Sequence, residues 1–134
     1  MHADAAGFVF FSPKGKMLLL KRAGQSSWSG RWASAGGMMD PGETPLHAAV
    51  RETIEEIGNL PRFCKLMNMV KIHWRGTHYV TWMVYTPIEF RPAKLNKKEH
   101  SQWRWVTAED VQEGKYFLHD GFRATLEEIA PHML

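Results

Sequence analysis

The sequence predicts a mixed α/β fold in which a central sheet is flanked by helices. Three observations predict it: two short apolar runs joined by a turn at the start, one strongly delimited helix after a glycine-rich stretch, and further strand-like runs before a last amphipathic segment. No linker, low-complexity stretch or internal repeat divides the 134 residues, so residues 1–134 are read as a single domain, long enough to bury one hydrophobic core.

Ala5-Ala6-Gly7-Phe8-Val9-Phe10-Phe11 reads as a strand and Met17-Leu18-Leu19-Leu20-Lys21-Arg22 as its returning partner. Ser12-Pro13-Lys14-Gly15-Lys16 between them is a turn, because Pro fixes φ and Gly tolerates positive φ. Residues 23–43 carry glycines at 24, 30, 36, 37 and 42 with Ser, Pro and Trp, and read as a long loop with little regular structure. A loop of that length inside a compact domain is usually functional.

It ends at Thr44-Pro45, where Thr can cap free N–H groups and Pro is favoured at the first helical position. The helix should run to about Ile57, with Gly58 as its stop. Strand-like runs follow at 63–74 and 78–86, separated by Arg75-Gly76-Thr77, then a polar loop containing Lys97-Lys98 and a short strand at 103–106. Thr107-Ala108-Glu109-Asp110 is a capping signal for a short helix, and residues 120–130 suit a final amphipathic one.

Composition narrows the function. Hydrophobic residues make up 44% and charged residues 23%, ordinary for a globular protein, and the formal net charge is +3. The basic residues are scattered, whereas a nucleic-acid binder concentrates them on one face, so a small polyanionic ligand fits better than a polymer. The single cysteine, Cys64, excludes an intrachain disulfide and is read as a small buried residue on a strand; the seven histidines show no zinc-ligand spacing. Residues 5–11 are too short for a membrane span, and a reducing, cytoplasmic setting is the expectation.

The chemistry points to the helix. At about 100° per residue, Glu56 lies roughly 40° to one side of Glu52 and Glu55 roughly 60° to the other, so three carboxylates share a face. Leu46, Val50, Thr53 and Ile57 form a separate flank, expected to pack on the sheet without overlapping the acidic stripe. Such like charges repel unless solvent or a cation compensates them. An acidic helix face is often only a wet face, and the alternative is a hard divalent ion such as Mg²⁺, which prefers carboxylate and phosphate oxygens. The full spacing favours the ion. Gly37, Glu43, Arg51, Glu52, Glu55, Glu56 and Gly58 fit Gly-x5-Glu-x7-Arg-Glu-x-x-Glu-Glu-x-Gly. With each residue type at its usual frequency, a chance match is on the order of one in a million.

This pattern resembles the Nudix box of the MutT-like hydrolases, departing only at Thr53 and Asn59, where the box is usually aliphatic. The resemblance implies an α/β/α sandwich and a Mg²⁺-dependent enzyme, with Mn²⁺ able to substitute, that cleaves a pyrophosphate linkage in a nucleotide. It implies Glu55, Glu56 and the Gly36 carbonyl as metal ligands, Glu52 as ligand or general base, and Arg51 holding Glu43 as structural support. Glu56 is counted with Glu52 among the catalytic carboxylates, and Gly37 among the groups close to the substrate.

Beyond the box, Leu18–Arg22 and the Trp32 to Gly37 approach look like the family's opening strand and loop. Arg22 lies where such enzymes often place a substrate-contacting arginine, the alternative being an exposed strand-end charge. The segment from Glu99 to Val106 looks like the late stretch that supplies one more acid, making Glu99 a ligand, a base or a solvated loop charge. Trp28, Trp32, Trp74, Tyr79 and Trp82 could stack on a base, although packing is the default for each; Trp28, in the loop, is the best placed, and His119 reads as a surface histidine.

A nucleoside triphosphate, oxidised or non-standard ones included, is the first substrate expectation, yielding monophosphate and pyrophosphate. A nucleoside diphosphate linked to another moiety is the second: a dinucleoside polyphosphate, ADP-ribose or a nucleotide sugar. The third is a non-catalytic nucleotide sensor, disfavoured because every charged box position is present. The sequence leaves monomer and homodimer equally open.

Overall fold

The computed structural model describes residues 3–24 and 28–133. Strand β1 (Ala5–Phe11) is its spine. Alongside it, in parallel, runs β6 (Thr77–Tyr85), with Ala5 opposite Tyr79 and Phe11 opposite Tyr85. Strand β5 (Lys65–Trp74) pairs antiparallel with β6 and forms the sheet edge. On its other side β1 is shared. Its first half pairs antiparallel with β4 (Ala35–Met38), and its last residue Phe11 meets Met17 of β2 (Met17–Arg22). Strand β2 in turn carries β3 (Trp32–Ala33) and β7 (His100–Val106), both antiparallel.

The apolar runs of β1 and β2 are explained by two-sided burial. Side chains alternate across a strand, so Ala6, Phe8, Phe10, Leu18 and Leu20 enter one core with Ala48, Ala49 and Ile57 of helix α1 (Pro45–Ile57). Val9, Met17 and Leu19 enter a second core on the opposite face. There they meet Phe122 and Ile129 of helix α3 (Asp120–Ile129). A short helix α2 (Ala108–Gln112) follows β7. The result is a mixed sheet between helices. Among the described residues no helix is long and apolar enough to cross a membrane.

Several expectations need correction. The stretch 23–43 is not wholly irregular: β3 and β4 are built into it, because the free edges of β1 and β2 offer it backbone partners. Strand β7 begins at His100 rather than at 103, extended by pairing with β2. Cys64 is exposed and precedes β5 instead of lying buried within a strand, because the first half of β5 projects past both cores.

On α1, Val50, Thr53 and Ile57 pack inward as expected, but the flank shifts at its start and is not separate from the acids. Leu46 is 40% exposed, since the first turn overhangs the sheet, while Ala48 and Ala49 are fully buried. Ala48, Ala49, Thr53, Glu56 and Ile57 form the buried arc, so the carboxylate of Glu56 lies within it and not on a separate wet face.

Candidate active site

The helix that carries the acids is fixed at both ends. Thr44 accepts a hydrogen bond from the His47 N–H, Pro45 opens the first turn, and Gly58 ends it in a left-handed conformation at φ 87°. Two alanines bring the helix close to the sheet, Gly37 makes room for the Glu52 side chain, and Gly36 lets β4 lie close against β1. A Cβ on Gly37 would lie 2.5 Å from the Glu52 carboxylate, and one on Gly36 would lie 2.7 Å from the Gly7 Cα. Gly36 also adopts φ 152°, which side-chain-bearing residues rarely reach.

Into this seam points Glu56, 4% exposed. Its Oε1 accepts a 2.7 Å hydrogen bond from the Gly36 N–H, and its Oε2 lies 2.7 Å from Nε2 of His100, itself 2% exposed. His100 Nδ1 is buried without a partner. A lone pair costs less there than an unpaired N–H would, so the neutral tautomer with Nε2–H donating to Glu56 fits best. Burial pushes the Glu56 carboxyl above its ordinary range, against the opposing bond from His100. Burial, followed by the charge of Glu56, does the same to Glu52.

Arg51 organises the outer side of the cluster. Its Nε donates to Glu43 Oε2 at 2.7 Å and its Nη2 to Glu43 Oε1 at 3.0 Å, a two-pronged pair. The remaining guanidinium hydrogens reach Glu52 at 3.0 Å, Glu55 at 3.1 Å and the Met38 carbonyl at 3.0 Å. The hydrogen bond from Arg51 is the main reason that Glu43 is lowered to about 2.

Glu99 arrives from the loop before β7. Its carboxylate, that of Glu56 and a ring nitrogen of His100 lie within 4.8 Å of one another, a group that could hold a metal ion. Asn96 Nδ2 donates to Glu99 Oε2 at 3.2 Å. Two of the three side chains in this set offer carboxylate oxygens, the donor type a hard ion such as Mg²⁺ prefers.

Beside the acids opens a cavity of about 300 Å³. Its floor is the backbone of Gly36 and Gly37, and its walls include Arg22, Trp28, Trp74, Tyr79 and His119. Trp28, at φ 63°, packs 5.7 Å from Trp74 and 4.8 Å from His119, centroid to centroid. His119 is half-buried, not a surface residue: its Nδ1 accepts from the Gly121 N–H and caps α3. Burial and then the nearby charge of Arg22 push its pKa down. Trp32 and Trp82 pack in or against the two cores, away from any stacking role.

The family question is decided by comparison. A model of the NUDIX domain matches residues 1–128. The chain belongs to the Nudix family. As a Nudix hydrolase, it acts on the phosphoric anhydride bonds of nucleotides. Among similar proteins is the putative 8-oxo-dGTP diphosphatase 3 of Mycobacterium tuberculosis, 30% identical over 133 residues, which span 93% of this chain and 60% of that one. An RNA pyrophosphohydrolase of Aeromonas hydrophila is 28% identical over 93% of this chain and 82% of its own. The crystal structure of RenU, a Nudix hydrolase from M. smegmatis, superposes with a TM-score of 0.76 at 28% identity, covering 98% of this chain and 88% of that one.

One feature of this Nudix site escaped the sequence. His100 is 44 residues from Glu56, and only the placement of β7 brings the two together. Trp74 and Tyr79, read from the sequence as able to stack on a base, both line the cavity.

Proposed function

We propose that this Nudix hydrolase cleaves a nucleoside triphosphate, including oxidised or non-standard ones, to monophosphate and pyrophosphate. One observation carries the reading. The aromatic-walled cavity of about 300 Å³ stands directly on the Gly36–Gly37 backbone, which itself abuts the Glu52 and Glu56 carboxylates. That volume is at the small end of ligand sites and suits one nucleoside. The similarity to a putative 8-oxo-dGTP diphosphatase supports the same class.

In this reading Trp28, Trp74 and Tyr79 take the base by stacking, and Arg22 meets the sugar-phosphate end. Glu52, Glu55, Glu56 and the Gly36 carbonyl would hold Mg²⁺, and Mn²⁺ in its place. The ion supplies positive charge against the diphosphate and acidifies water. Glu52 receives the proton of the attacking water, with Glu99 the other carboxylate near the centre. The water oxygen bonds to phosphorus and the bridging anhydride oxygen departs with its electron pair. Arg51 and Glu43 keep the acids in register.

The test is a panel of common and oxidised nucleoside triphosphates, dinucleoside polyphosphates, ADP-ribose and nucleotide sugars, incubated with Mg²⁺ and resolved by chromatography. Triphosphates should be cleaved best, with pyrophosphate released, and Glu56→Gln should abolish turnover. Preferential cleavage of a linked diphosphate would overturn the substrate class. Binding without any cleavage would replace the enzyme with a sensor.

A further inference from the structure

At the C-terminal end of α1, where Glu55 also belongs to the acidic face, lies a second hollow, of about 540 Å³. It is bounded by Glu55 and Gly58 of the helix end and by Lys94, Asn96, Lys97 and Lys98 of the loop before β7. The three lysines are exposed, and none has an ion-pair partner among the described residues. Glu55, whose side chain is 52% exposed, is common to this hollow and to the acidic face.

The loop is held firmly to the helix. The Lys94 N–H donates to the Ile57 carbonyl at 3.0 Å and the Asn96 N–H to the Glu56 carbonyl at 2.8 Å, satisfying helix-end acceptors. Asn96 Oδ1 accepts from the Lys98 N–H at 3.1 Å, and the Asn96 carbonyl accepts from the N–H groups of Glu99 and His100. A Cβ on Gly58 would sit 2.8 Å from the Lys94 nitrogen, so the loop can approach only because residue 58 is glycine. The backbone that bears the ammonium groups therefore has a fixed position relative to the carboxylates.

A lysine group without a partner, beside acids that gather cations, is poised for an anion that spans both. We infer that the Lys94–Lys97–Lys98 hollow binds the outer phosphates of the substrate and makes the enzyme select for a longer phosphate chain. The inference rests on the nucleotide reading above. With the base in the aromatic cavity and the cleaved linkage over Glu52 and Glu56, the chain continues past Glu55 into the lysines. Ammonium groups suit this role because they act as point charges on flexible stems and adapt to one phosphate or two.

The test uses one nucleoside carrying two, three or four phosphates, and the Lys94→Gln/Lys97→Gln/Lys98→Gln variant. These changes leave the backbone hydrogen bonds of the loop in place, and circular dichroism checks the fold. The wild type should show a KM that falls with phosphate number. In the variant, KM for the triphosphate should rise about tenfold and that for the diphosphate less than twofold. Calorimetry with Mg²⁺ should show inorganic tripolyphosphate binding about tenfold more weakly to the variant and orthophosphate nearly unchanged, the former difference shrinking at high salt. Equal changes for short and long chains, or none, would overturn the inference. If the wild type cleaves no nucleotide, the catalytic reading fails by itself, and the tripolyphosphate measurement still decides the lysine site.

Discussion

Glu56 and His100 share a 2.7 Å hydrogen bond with both side chains withdrawn from water. The bond orients one oxygen of Glu56 while the Gly36 N–H orients the other. A carboxylate so placed keeps its geometry before any cation arrives, because groups that hold a ligand from behind fix its direction.

His100→Ala should therefore weaken Mg²⁺ affinity by about 10- to 100-fold, the usual range for losing such a supporting group. It should also cost about 1–3 kcal/mol of stability by leaving a buried acceptor unpaired. Titration with Mg²⁺ and urea unfolding check the two effects. His100→Gln, which can still donate, should recover part of the affinity, and an alanine variant with unaltered Mg²⁺ binding would contradict the role.

Gly37→Ala addresses the other carboxylate. The new methyl would occupy the place of the Glu52 carboxyl, 2.5 Å away, and displace it. Displacement of about 1 Å at a reacting group can cost roughly 100-fold in rate, so kcat/KM should fall by about that factor. Because the obstruction is the end of one side chain, the melting temperature should change little.

Trp74→Ala tests the aromatic cavity. Stacking of a base on an aromatic ring is worth about 1–3 kcal/mol, so KM for the nucleotide should rise by about 5- to 150-fold. Turnover at saturation should change much less, since Trp74 stands apart from the carboxylates. A variant with an unaltered KM would place the base elsewhere.

The Glu43–Arg51 pair makes stability depend on acid. The pKa of Glu43 falls from 4.5 in the unfolded chain to about 2 in the fold, chiefly through the Arg51 hydrogen bond. A depressed carboxyl contributes its full stabilisation above pH 4.5 and loses it as pH falls toward 2, because the unfolded state then binds the proton more readily. Melting temperatures measured across that window should fall more steeply for the wild type than for Glu43→Gln, and the two slopes should agree above pH 5.

The capped helix from Thr44 to Gly58 was legible because its signals are local: a capping hydroxyl, a proline at the first position and a glycine that tolerates positive φ. The two-sided apolar runs of β1 and β2 were legible for a similar reason, since their composition reports burial directly. Period placed Val50, Thr53 and Ile57 of α1 on the sheet side, where they pack, but it also put Leu46 there and kept the acidic stripe apart from that flank, whereas Ala48 and Ala49 pack inward and Glu56 is buried with them. Cys64 and His119 went wrong for the opposite reason, as residue type predicts average burial and neither sits in average surroundings.

By itself the sequence determined the helix, its limits and the set of acids it bears, because those follow from neighbours within a few turns. Tertiary structure decided which acids are buried, that His100 stands behind Glu56, and that an aromatic cavity and a lysine hollow flank the same seam. Those relationships join residues tens of positions apart. They are set by strand pairing and close packing, which only the folded chain brings into being.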